Sequence, residues 1–206
     1  MGKLLSNFRN TMIVSVLLAL VMVYAYSTGP AGTSEQFWQA VFRWLHVFFG
    51  ILWIGLLYYF NFVQIRKMPD IPAELKPAVS KHIAPEALFW FRWSALATWV
   101  MGVILAFSRG HDYAVETITF GLAGGYDSML DKGFALMGVG MWLATIMFLN
   151  VWGIIWPNQK IALGLKEADA DAKAKAARMA MLGSRTNLLL SIPMLTSMAM
   201  NQTIFG

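Results

Sequence analysis

The sequence predicts an all-α fold, a polytopic membrane helix bundle of about five transmembrane helices. Hydrophobic residues make up 58% of the 206 residues and charged residues only 13%, a balance far from that of a soluble domain. The apolar residues are grouped into runs with little or no charge, and a run of about 20 residues is long enough to cross a bilayer. At this length we expect one integral membrane domain, residues 1–206.

The apolar runs define the transmembrane helices. Five spans are predicted, near residues 11–28, 37–65, 87–108, 133–156 and 186–204. The third admits Arg92, whose long side chain we expect to reach toward the membrane interface. Residues 161–184 are rich in Ala, Lys, Asp and Glu, which is typical of a polar cytoplasmic helix. The segment 109–132 is long for a connection and carries His111 and four carboxylates, and such a loop is often functional.

Lysine and arginine are distributed unevenly about these spans. Twelve of them lie in the amino-terminal tail, the loop after the second span and the segment after the fourth, whereas residues 29–36 and 109–132 hold two. Because positive residues favour the cytoplasmic side, we expect a multi-pass protein of the bacterial inner membrane with its amino terminus in the cytoplasm and its carboxyl terminus in the periplasm. The net charge of +5 then reflects topology, and nucleic acid is not expected as a partner.

Candidate chemistry within the membrane is concentrated in the second span. His46 is the one histidine within a predicted span, and an ionisable group inside the bilayer is a functional candidate. Gly50 and Trp53 follow at i+4 and i+7 on the same helix face, so the missing side chain at Gly50 leaves room for a flat ring beside the imidazole. Arg43, one turn earlier, could contact a haem propionate, a lipid phosphate or a loop carboxylate.

Two interpretations of this face remain open. In one, a haem or quinone head group lies against His46. In the other, Gly50 permits close helix packing and His46 hydrogen-bonds a neighbouring helix, as polar residues between membrane helices commonly do. We favour the second interpretation. The chain has no cysteine, which excludes thiolate metal sites and covalent haem attachment.

Four segments of the chain carry a resemblance to a known family. In order they are WLHVFFGILWIGLLYYF, ALFWFRWSALATWVMGVIL, MWLATIMFLNVWGIIWPNQK and SRTNLLLSIPMLTSMAMNQ. They resemble the membrane domain of PuuD-type urate oxidases, the urate oxidase amino-terminal family, over most of residues 38–202. Single segments such as LHxxxGxxWxG also occur in CopD-like copper-resistance proteins and resemble HemJ-type protoporphyrinogen oxidases. The resemblance implies a short relative, which we expect to lack the cytochrome c domain that often follows in the family.

The departures from the family pattern bear on function. The resemblance implies histidines where this sequence has Gly138, Thr186 and Gln202, and only His46 matches a family histidine. Since none of these three side chains replaces imidazole as a strong axial ligand, a bis-histidine haem within this chain is hard to build.

The sequence therefore favours a non-catalytic accessory or structural subunit of a larger membrane complex, respiratory or otherwise electron-transferring. Under this hypothesis we expect no catalytic residue, no metal site and no cofactor, with lipid and other membrane subunits as partners. The alternative is a haem-binding membrane oxidoreductase or electron carrier, related to PuuD-type urate oxidase, that holds haem b through His46. The residues that would then bind the cofactor are His46, Gly50, Trp53 and Arg43.

The charge asymmetry makes the topology testable. Reporter fusions after residues 75 and 170 are expected to give cytoplasmic signals, and a fusion after residue 120 an external one, because the lysines and arginines cluster around the first two sites. Paired reporters that are active on opposite sides of the membrane measure this directly. A cytoplasmic signal at residue 120 would contradict the five-span arrangement.

Overall fold

Helices account for nearly all of the regular structure. A computed structural model describes residues 2–30, 32, 34–124 and 133–205. The helices used below are α1 (Phe8–Ser27), α2 (Glu35–Tyr58), α3 (Ala84–Ser108), α4 (His111–Ile118), α5 (Phe134–Asn150) and α6 (Ala170–Ile204). Wider π-helical turns extend three of them, at Tyr59–Gln64 after α2, Val79–Ile83 before α3 and Val151–Ile155 after α5. The predicted all-α fold is confirmed.

Four helices of the described chain are long and apolar enough to cross a membrane, counted with their extensions. They are Phe8–Ser27, Glu35–Asp70, Lys76–Ser108 and Phe134–Ala162. The chain is thus a membrane protein by the length and composition of its helices. The fifth predicted span, 186–204, is not one of the four, because polar side chains recur along it.

The segment predicted as a separate polar helix, 161–184, is organised differently. The extension of α5 ends at Ala162, and α6 begins at Ala170, where the side chain of Asp169 caps it by accepting from the backbone N–H of Ala172 at 2.7 Å. From there α6 runs for 35 residues without interruption, through Pro193. The polar stretch and the last predicted span are therefore one continuous helix.

Helices α2, α3 and α5 pack as antiparallel neighbours. The Nε2 of Gln39 donates to the carbonyl of Ser108 at one end of the α2–α3 pair, and the rings of Phe60 and Phe91 meet edge to face near the other. On the opposite side of α3, the Trp99 ring stacks on Phe148 of α5 with centroids 5.0 Å apart. Aromatic side chains thus fill the space between spans, as their large area favours.

A row of hydrogen bonds joins α5 to α6 along the whole length of α5. The Nδ2 of Asn150 donates to Oδ1 of Asn187 at 2.7 Å and to the carbonyl of Gly183 at 2.8 Å, and Nδ2 of Asn187 donates to the carbonyl of Met147 at 3.1 Å. At the other end of α5, Asn201 donates to the carbonyl of Gly133 at 2.7 Å. We call these contacts the polar seam.

The polar seam explains why the last predicted span is less apolar than the others. Its polar residues recur every three or four positions, which places them on one helix face. That face is turned inward, since Asn187 and Ser191 are both 0% exposed. Large apolar side chains such as Leu189 and Ile192 are exposed instead. Mean hydropathy averages over both faces, so it understates how apolar the outer surface of α6 is.

The polar seam yields a stability prediction. Asn187→Ala removes two interhelical hydrogen bonds and leaves Asn150 with one partner fewer, so we expect the free energy of unfolding to fall by about 1 to 3 kcal/mol. Reversible unfolding of the purified chain by sodium dodecyl sulfate in mixed micelles measures this. The matched control is Asn158→Ala, because Asn158 bonds only to the carbonyl of Ile154 in its own helix. An equal loss in the two variants would contradict the prediction.

Candidate functional site

The imidazole of His46 lies between α2 and α3. Its Nδ1 is 2.8 Å from the carbonyl oxygen of Thr98. Because a carbonyl only accepts, Nδ1 carries the proton in this contact and Nε2 is the unprotonated nitrogen of the neutral ring. On the facing helix, a methyl group added at Gly102 would stand 2.9 Å from Cε1 of His46 and 3.0 Å from Nδ1. The ring is thus seated against the backbone of α3 where a side chain is missing.

Gly50 and Trp53 share the face of α2 with His46, as their spacing predicts. A methyl group at Gly50 would meet the Cγ2 of Thr98 at 3.7 Å, an ordinary van der Waals distance. Trp53 is 1% exposed and belongs to the main hydrophobic core with Leu57 and Phe91. The indole N–H of Trp53 has no hydrogen-bond partner among the described residues. These residues therefore line the packed surface between α2 and α3.

The other candidates, Arg43 and His111, do not join His46. Arg43 is half-buried and forms no hydrogen bond or ion pair within the described part of the chain. His111 begins α4 with its side chain 77% exposed, and its Nδ1 lies 3.6 Å from a carboxylate oxygen of Asp112. Of the segment 109–132, residues 111–118 form a helix, while residues 125–132, including Asp127 and Asp131, lie outside the described residues.

Position 138, where the family resemblance implies a histidine, is closed by α4. Gly138 is buried, and a Cβ built there would overlap the carbonyl oxygen of Thr117 and stand 3.0 Å from the Phe120 ring. Trp142, one turn later, donates its indole N–H to the carbonyl of Ile118 at 2.9 Å. The substitution of glycine at this position thus accompanies close packing of α4 on α5.

The described residues do not fit a bis-histidine haem. His46 can offer Nε2, since its Nδ1–H is held by a backbone carbonyl in the way that metal-bound histidines often are. A second imidazole is not near, because His111 is at the surface and His82 lies in the π-helical turn before α3. No group of three His, Cys, Asp or Glu side chains converges within residues 2–30, 32, 34–124 and 133–205, which the structure describes.

Arg92, predicted to extend toward the membrane interface, packs its side chain against a neighbouring helix. It is 8% exposed and lies within the bundle, with its guanidinium carbon 3.5 Å from the centre of the Trp156 ring and its Nη1 donating to the carbonyl of Leu88. The energy of a cation over an indole explains why the charge is tolerated there. This pair was not apparent from sequence, because the two residues are far apart along the chain.

The polar seam was also missed in the sequence, although a signal for it exists. Asn187, Ser191 and Asn201 are spaced as one helix face within an otherwise apolar run, and polar residues so placed indicate contact with another helix. Asn61, in the π-helical turn after α2, extends the seam by donating to Oγ of Ser184 at 2.8 Å. Turns of this kind are frequent at functional positions in other proteins.

Comparison with known proteins finds a family match in the carboxyl-terminal half of the chain. The model of the urate oxidase N-terminal family matches residues 113–205, which contain most of α4 and all of α5 and α6. Over these residues, somewhat less than half of the chain, the protein is similar to this family. The matched region holds the third and fourth of the resembling segments, whereas His46 and the first two lie outside it. No curated protein and no solved structure is significantly similar to the chain.

The fit of His46 against α3 can be tested by adding one methyl group. Gly102→Ala is expected to lower the free energy of unfolding by about 1 to 3 kcal/mol, because the new methyl group would displace the imidazole from its seat. Gly55→Ala is the matched control, since nothing lies within 4 Å of a Cβ at position 55 and alanine favours a helix by about 1 kcal/mol over glycine.

The contact with His46 can be isolated from other effects of the Gly102 variant. In a His46→Ala background the penalty of Gly102→Ala should largely disappear, which a double-mutant cycle of unfolding free energies measures. If the penalty is the same in both backgrounds, the imidazole is not what the methyl group displaces.

Proposed function

We propose that this chain is a non-catalytic accessory subunit of a larger membrane complex, respiratory or otherwise electron-transferring. The observation that carries the proposal is the contact of His46 with Thr98 and Gly102. The one histidine of a predicted span is engaged in helix packing, and the described residues near it supply no second imidazole. The same proposal places the chain in the bacterial inner membrane, with the amino terminus in the cytoplasm.

The amino-terminal helix supports a role in assembly. None of the residues of α1 is buried, although the helix is 20 residues long and apolar. A shallow apolar groove runs between α1 and α2. It is lined by Met22 and Tyr26 of α1 and by Phe37 and Trp44 of α2. A span that packs so little against its own chain has a free surface for the helices of another subunit.

The activity in the family's name is a weaker guide to the function of this chain than its helix packing is. Urate oxidation belongs to the family by name, and this chain matches that family over residues 113–205 only. The polar side chains of that region hold α5 against α6 through amide and hydroxyl hydrogen bonds. Amide and aliphatic hydroxyl groups do not titrate near neutral pH and are not redox-active, so these side chains favour a scaffold over a catalyst.

The alternative function is that of a haem-binding electron carrier. It is favoured by one observation, the Nδ1 contact of His46 with a backbone carbonyl, which leaves Nε2 as the nitrogen that could bind iron. In that case a haem b would supply one-electron chemistry, and this chain would hold it with one histidine. Arg43, one turn away, would be available to pair with a propionate.

The two functions predict different spectra. Under the accessory function, membranes containing the wild-type chain and the His46→Ala variant should show the same haem absorption, because no haem is bound to this residue. His111→Ala serves as the matched control, since that ring is exposed at the surface. A Soret band that is present in the wild type and in His111→Ala but absent from His46→Ala would establish the haem protein instead.

Assembly itself is measured separately. The tagged chain, solubilised in mild detergent from its native host, should migrate in native electrophoresis well above the mass expected for the 23.0 kDa chain with its detergent. Migration as a single chain in every mild detergent would contradict the accessory function.

A further inference from the structure

Two cationic side chains lie against the indole of Trp156. The guanidinium carbon of Arg92 is 3.5 Å from the ring centre, and Nζ of Lys160 is 5.5 Å from it. Within the described part of the chain, neither side chain forms an ion pair with a carboxylate. Two like charges about one ring repel each other, and an anion placed between them would turn that repulsion into attraction.

Arg92 has more hydrogen-bond capacity than the described residues satisfy. Its Nη1 donates to the carbonyl of Leu88 at 3.1 Å, whereas a guanidinium carries five N–H donors. The side chain is 8% exposed, and a buried charge without a counterion is costly. The planar fork of arginine matches two oxygens of a phosphate group, which is why it commonly binds such groups.

The position of the pair along the bundle selects the kind of anion. A helix rises about 1.5 Å per residue, so Trp156 lies about 33 Å along the helix from Phe134, where α5 begins. This length is close to the roughly 30 Å thickness of the hydrocarbon layer. The Nη1 contact with Leu88 directs the guanidinium of Arg92 back toward the start of α3, the same end of the bundle. With Phe134 at one face of the hydrocarbon layer, both charges would lie near the other face, where phospholipid phosphates are found.

We propose that Arg92, Lys160 and Trp156 form a binding site for an anionic phosphate group. The group belongs either to a phospholipid of that leaflet or to a soluble phosphate compound. Arg92 donates to the phosphate from within the bundle and Lys160 from the end of the α5 extension, beside the indole that both side chains approach. The site does not depend on the accessory function, since no partner subunit takes part in it.

The test uses the purified full chain in detergent and native mass spectrometry. Phosphatidylglycerol is titrated first, then dioctanoylglycerol, which has no phosphate, and then inorganic phosphate alone and in competition. Wild type should retain one phosphatidylglycerol saturably and dioctanoylglycerol much less. Lys160→Gln and Arg92→Gln should each weaken retention at least about tenfold, the effect of losing one charge-assisted hydrogen bond. Arg66→Gln, at an exposed arginine, should leave it unchanged.

Each outcome has a defined meaning. Phosphatidylglycerol that inorganic phosphate does not displace identifies a lipid head group, and binding of inorganic phosphate with displacement identifies a soluble ligand. Should Arg92→Gln fail to fold, Lys160→Gln still decides, because Lys160 is half-buried at the end of the helix. The site is rejected if Lys160→Gln retains phosphatidylglycerol as the wild type does, or if the two lipids bind alike.

Discussion

Within a bilayer a buried amide has no water to bond with, and the packing of α5 against α6 follows from this constraint. Asn150 and Asn187 hydrogen-bond to each other, and each also donates to a backbone carbonyl of the other helix. These bonds form in only one register of α5 and α6. Sliding α6 by a single turn would strand several of these groups at once. Apolar contacts alone would not fix this register, since lipid tails solvate leucine as well as another helix does.

Small residues make the close approach possible. A Cβ at Gly183 would stand 2.8 Å from a side-chain carbon of Ile155, and one at Gly140 would stand 2.9 Å from Oγ of Ser197. The missing side chains bring the backbones near enough for short amide side chains to reach the opposite carbonyls. Gly102 serves the same purpose for His46 on the other side of the bundle. At each of these contacts, a glycine therefore lies beside an interhelical hydrogen bond.

Much of the fold could be predicted because long runs of high hydropathy indicate helices that lie in lipid. The runs around α1, α2, α3 and α5 are apolar on average, and four of the five predicted spans coincide with them. The fifth predicted span is not among them for a physical reason, since the inward polar face of α6 lowers its mean hydropathy. Residues 170–184 and the last span form one helix because α6 packs against α5 and its extension beyond the apolar region. This is a tertiary contact, which amino-acid composition cannot predict.

The candidate site was predictable only in part, for a related reason. Helical spacing predicts that His46, Gly50 and Trp53 share one face. The hydrogen-bond partner of His46 belongs to α3, however, and spacing within one helix cannot predict a contact with another. Likewise Arg92 on Trp156 joins residues on different spans. At Gly138, where the resemblance implies a histidine, α4 occupies the space beside the glycine. In a Gly138→His variant of this chain, the new side chain would clash with the backbone of Thr117. An imidazole at this position therefore requires α4 to move as well.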